Sequence, residues 1–136
     1  MTTKKANAKK DQFDYQTIKS FEDACKRLGI DFEHLPYLSK VPEEFHKPIL
    51  AYYKLVIIFK AINNGWKPNW GNYNEYKYYP WYYVLSSGFG FDDSYYNCTT
   101  TGTTVGSRLC TDTSEKAIYI AKQFEDLYKD YLLYSE

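Results

Sequence analysis

Arginine is nearly missing from this chain: Arg27 and Arg108 stand alone against fifteen lysines. Arginine is the side chain best shaped for bidentate contacts to phosphate and base edges, so this scarcity argues against a duplex-reading surface and makes Arg108 the natural anchor of any anion site. Net charge is missing too. Seventeen acidic residues balance 17 basic ones, leaving no overall field to draw the protein onto duplex nucleic acid or an anionic membrane. Cysteine is sparse and odd in number; Cys25, Cys98 and Cys110 fit neither a disulfide framework nor a CxxC metal pattern and read as reduced thiols. The only histidines, His34 and His46, stand away from any cysteine, and no Walker loop, GxSxG, HExxH or dinucleotide-type glycine pattern occurs. These absences predict a protein that is not an enzyme and holds no metal or cofactor. Long apolar runs are also lacking. The longest aliphatic or aromatic stretch, 55–59, sits between Lys54 and Lys60, and the N-terminus has no signal-like segment, so a soluble cytoplasmic protein without membrane contact is expected.

Aromatic residues are what the chain has in excess: three tryptophans, sixteen tyrosines and eight phenylalanines, 20% of all residues. All three tryptophans, half of the tyrosines, Phe89 and Phe91 fall within 66–96, a stretch with few charges. Such rings join a flat apolar face to a polar tip, so they can build a core, wall a pocket for a flat ligand, or form an interface.

The hydrophobic pattern predicts a single α+β domain over 13–136, preceded by a mobile basic tail over 1–12 with four lysines and no apolar cluster. Ser20 with Asp23, followed by helical spacing and Gly29, marks a short helix over 20–28. Pro42 opens a second helix ending at Asn63, with Pro48 predicting a kink or two segments, 42–47 and 48–63. Nearly every position over 49–62 is apolar or aromatic, which marks a buried central helix. Residues 66–74 read as an ordered loop, and 75–85 as a strand with aromatics at both parities. Tyr76, Tyr78 and Tyr82 lie on one face and Tyr79, Trp81 and Tyr83 on the other. The second face therefore needs a cover: a ligand, a subunit, or the 66–74 loop. Pro80 makes this strand an edge or a site of bulging. Gly88, Gly90 and the pair Asp92 and Asp93 suggest a turn over 86–93, with β-leaning stretches at 94–104 and 105–111. A continuous amphipathic helix capped by Thr113 or Ser114 follows, its stripe running from Ala117 to Tyr131. The expected architecture is a small antiparallel sheet of about three strands packed against the buried central helix and the amphipathic C-terminal helix.

The runs Pro68-Asn69-Trp70-Gly71-Asn72, Tyr76-Lys77-Tyr78-Tyr79-Pro80-Trp81 and Gly106-Ser107-Arg108-Leu109-Cys110, followed by a helix with Ala117, Phe124, Leu127 and Tyr128, resemble a family of small proteins of phages and prophages of gut Bacteroidetes. The likeness covers about 21–133. It implies a viral accessory protein in the cytoplasm of an infected bacterium, and it carries no catalytic or binding residues with it.

Two functions follow from the aromatic segment. In the first, the protein sequesters a small nucleotide, such as a cyclic signal of host defence. Trp66, Trp70, Tyr78, Trp81 and Tyr82 supply stacking walls, and Lys77 and Arg108 meet phosphates. A long single strand would need a basic groove that 66–114 does not supply. In the second, the same rings form a subunit or host-factor interface, in a virion component or a homo-oligomer. A carbohydrate platform on exposed tryptophan faces is a minor third. For Arg108 the structural alternative is an ion pair with Asp112 or a C-terminal carboxylate.

Overall fold

A computed structural model describes residues 12–134. The expected basic tail, apart from Gln12, lies outside the described residues. Four helices and two strands follow in the order α1 (Phe21–Leu28), α2 (His46–Asn63), β1 (Lys77–Leu85), β2 (Gly88–Asn97), α3 (Ser114–Gln123) and α4 (Glu125–Leu132), with 3-10 turns at Tyr15–Thr17 and Glu43–Phe45. The α+β class is as expected. The sheet has two strands rather than about three.

Helix α1 forms where its caps say it should. The Ser20 Oγ accepts from the Asp23 N–H at 3.1 Å, and the Asp23 carboxylate accepts from the Lys19 N–H at 3.0 Å, a capping box displaced by one residue. At the other end Gly29 takes φ 70°, and the Ile30 N–H reaches the Cys25 carbonyl at 2.9 Å, the left-handed turn that glycine makes cheap.

Helix α2 is the central element. Leu55, Ile58, Phe59 and Ile62 are wholly buried, each contributing about 1.5–3 kcal/mol by leaving water. They meet Cys25 of α1, Leu109, and Ile120, Phe124 and Tyr128 of the C-terminal helices in one core. Pro48 causes no break. It occupies the third helical position, where a backbone N–H has no intrahelical partner to lose. The discontinuity falls earlier, where the 3-10 turn gives way to α-helix at His46.

Strands β1 and β2 pair antiparallel around Ser86 and Ser87, from Leu85 opposite Gly88 to Lys77 opposite Asn97. The expected turn over 86–93 is thus much shorter; Gly90, Asp92 and Asp93 are strand residues. The register shifts between Trp81 and Tyr82, which face Asp93 and Phe91, so Asp92 is the extra residue of a bulge. Pro80 lies just before it. Beyond Asn97 the β-leaning reading fails: 98–110 folds back through turns in which the Thr101 hydroxyl accepts from the Gly106 N–H at 2.9 Å. All that remains of a third strand is one bridge, in which Tyr78 and Thr111 exchange N–H···O bonds of 2.9 and 2.8 Å.

The C-terminal helix is not continuous. Phe124 leaves helical geometry at φ −117°, ψ 32°, dividing α3 from α4. The cause is a hydroxyl from the sheet. Tyr82 donates to the Ala121 carbonyl at 2.7 Å, the acceptor that an unbroken helix would give to the Glu125 N–H.

Candidate ligand-binding cavity

The 66–74 loop owes its shape to hydrogen bonds that fix both of its tryptophans. The Trp66 N–H donates to the Asn63 carbonyl at 3.0 Å, closing the turn that Asn64 and Gly65 make in left-handed backbone (φ 48° and 90°) at the end of α2. The Trp70 indole donates to the Ser107 hydroxyl at 2.7 Å, tying the loop to the segment that carries Arg108. A second tie comes from Asn63, whose amide donates to the Cys110 carbonyl at 2.9 Å. Its Oδ1 finds no partner among the described residues.

Together these ties shape a cavity of about 860 Å³ between the ends of α1 and α2, the loop, and Ser107. That volume suits a ligand of drug or nucleotide size. Trp66 stands on one wall, with Leu28, Val56 and Ala61 as apolar lining. Among the described residues four cations surround it, Arg27, Lys60, Lys67 and Arg108, and no aspartate or glutamate lines it. None of the four forms an ion pair among the described residues. Asp112, the sequence partner considered for Arg108, is held instead by Lys116 at 2.9 Å. Arg27 is oriented by the Asn64 side-chain oxygen at 3.0 Å and by the Phe13 ring, 4.0 Å from its guanidinium carbon. Both arginines of the chain therefore line one cavity.

Of the seven residues chosen from the sequence, Trp66 and Arg108 meet here. Trp70 does not line the cavity, but its indole holds Ser107, which does. Lys77 lies elsewhere: its side chain is 1% exposed, and its ammonium is bound to the carbonyls of Cys98 (2.6 Å) and Glu75 (3.0 Å) and to the Glu75 carboxylate (3.2 Å), leaving no N–H for a phosphate. It lies 5.3 Å from the Trp70 ring, so loop and lysine together cover the start of the second sheet face. Glu75 is held below the usual carboxylate range, first by the Asn69 N–H and then by Lys77 and the Trp66 indole. Tyr82 lies away from the cavity. It is half-buried against the core, where it stacks on Phe89 and packs against Tyr128, and burial pushes its phenol well above the ordinary range. Tyr78 belongs to a separate cluster with Tyr76 and Tyr96, whose rings stack at 4.3 Å. Trp81 lies on the open face of the hairpin against Tyr95, centroids 4.8 Å apart.

No protein-family model, curated protein or solved structure matches this chain. Its chemistry must be argued from its own atoms. Arg27 and Lys60 were not chosen from the sequence because they lie on helices far from the aromatic segment. The rarity of arginine was the available signal, and it applied to Arg27 as much as to Arg108. Cys110 is near this segment, but burial pushes its thiol up to about 12, which keeps it protonated at neutral pH. Among the described residues no group of three or more His, Cys, Asp or Glu side chains could hold a metal ion, and no helix is long and apolar enough to cross a membrane.

Proposed function

We propose that this protein binds a small nucleotide in the cavity beside Trp66 and acts by sequestering it rather than by converting it. Trp66 offers a face to the base, and Arg27 and Arg108 meet phosphate oxygens. One observation carries the reading: the only two arginines of the chain, 81 positions apart, line the same cavity, with no carboxylate lining it among the described residues. A base stacked on an aromatic ring contributes about 1–3 kcal/mol, and charge-assisted hydrogen bonds add about 1.5–3 kcal/mol each. One stack with two or three such bonds reaches the ~8 kcal/mol of a micromolar complex. In the phage setting implied by the sequence resemblance, the protein would work in the cytoplasm of the infected host and withdraw a nucleotide signal of defence, cyclic nucleotides being among the candidates. Calorimetry against linear and cyclic nucleotides tests this. Saturable heat that disappears in Arg108→Ala without a change in melting temperature supports it, and silence from the whole panel at tens of micromolar protein refutes it.

A second reading is favoured by a different surface. Trp81, Tyr83 and Tyr95 are 49%, 45% and 44% exposed on one face of the hairpin, a concentration of rings suited to a subunit or host-factor interface. Mass in solution is its test. A homo-oligomer in which Trp81 becomes protected supports an interface there, and a monomer whose Trp81→Ala variant behaves identically removes that form of it.

A further inference from the structure

The cations around the cavity exceed what one phosphate can neutralise. Arg27 and Lys60 stand on the helix side, Lys67 and Arg108 on the loop side, and none has an acidic partner among the described residues. Helices α1 and α2 both end at this cavity, and each C-terminus brings a partial charge of about −0.5. Four positive charges less those two partial charges leave a surplus of about three. A phosphate monoester carries only about −1.5 to −2 at neutral pH. Trp66, meanwhile, is the sole aromatic side chain lining the cavity among the described residues, which provides one platform for one base.

We infer that the ligand is a nucleotide with at least two phosphate groups, bridged between Arg27 and Lys60 on one side and Lys67 and Arg108 on the other, with a single base on Trp66. The inference rests on the cavity being a nucleotide site, as proposed above. Two sources share this chemistry: a linear nucleoside diphosphate or triphosphate, and a cyclic dinucleotide. For a linear diphosphate the charge of about −3 matches the surplus closely, whereas the two diesters of a cyclic dinucleotide bring about −2 and a second base that has no ring to stack on.

The test is titration of the full chain, followed by Trp fluorescence and calorimetry at two salt concentrations, with adenosine, AMP, ADP, GMP, GDP, cyclic di-AMP and cyclic di-GMP. A diphosphate or a cyclic dinucleotide should bind at least tenfold more tightly than the matching monophosphate, with the nucleoside weakest and the salt dependence steepest for the tightest ligand. Lys60→Gln, a change at an exposed side chain without a partner, should lower that affinity about tenfold while moving monophosphate binding less; Arg27→Gln should do the same. If monophosphate and diphosphate bind within twofold of each other, the two-phosphate inference is overturned while the nucleotide site stands. Silence from every compound overturns both. A preference for diphosphates that survives Lys60→Gln and Arg27→Gln in folded protein overturns the bridged arrangement.

Discussion

Lys77 is the most heavily committed polar side chain of the fold, and Lys77→Met measures that commitment. Methionine keeps most of the stem volume but leaves the Cys98 and Glu75 carbonyls without their donor and the Glu75 carboxylate without its cation. The Glu75 carboxylate left behind is partly exposed, so the loss comes chiefly from the two carbonyls left without a donor at about 1–3 kcal/mol each, about 2–5 kcal/mol in all, a large share of the ~5–15 kcal/mol that holds a domain together. At a urea m-value of about 1–3 kcal/mol/M, the midpoint should fall by roughly 1–3 M with an unchanged slope, and the melting temperature by roughly 10–20 °C. The acid limb should change as well. Because Glu75 is depressed in the folded state, its contribution is present above the ordinary carboxylate pKa and lost as pH falls through the folded value. Without Lys77 the Asn69 N–H still depresses Glu75, but less, so the loss of stability on acidification should be smaller than in the parent. A Lys77→Met protein within about 1 kcal/mol of the parent would refute the reasoning and show that water replaces the lysine without strain.

Tyr82→Phe should cost about 1 kcal/mol in urea unfolding and let α3 and α4 approach one helix, seen as added helical ellipticity; unchanged ellipticity and stability would contradict the cause assigned to the break. At high pH the phenols of Tyr82 and Tyr128, both raised chiefly by burial, favour the neutral form in the folded state. Stability should therefore hold up to about pH 10 and decline above it, because the unfolded chain ionises first, and some phenolate absorbance should appear only with unfolding. Complete ionisation with native circular dichroism would contradict that burial. A thiol reagent at neutral pH should label Cys98, which is partly exposed, well before the buried Cys25 and Cys110; prompt labelling of Cys110 would show that its cover opens.

Local signals in the sequence translated well where the deciding contacts were local. Ser20, Asp23 and Gly29 delimit α1 because caps act within a few residues, and the unbroken apolarity of 49–62 makes α2 the core because a helix without a polar face has nowhere else to go. Where distant residues decide, the pattern misled. The stripe from Ala117 to Tyr131 is continuous, yet a tyrosine hydroxyl 39 positions earlier takes the carbonyl on which continuity depends. Lys77 looks from the sequence like a free cation in an aromatic stretch; only the return of the chain at Cys98 shows that its donors are occupied. The third strand failed because turns around Gly102 and Gly106 use the Thr101 hydroxyl and the Val105 N–H locally, where a ladder would need an extended backbone. The cavity itself depends on two helix ends and two loops meeting, a juxtaposition that no window of sequence contains.

The outer edge of β2 has no strand beside it among the described residues, and the acidic pair at its bulge sits near its middle. A twin hairpin approaching that edge in symmetric antiparallel fashion would bring carboxylates against carboxylates, so this ribbon resists stacking into fibres with its own kind. The same two charges bias the edge toward other strands of opposite sign: one that docks here gains where it carries lysine or arginine at its centre.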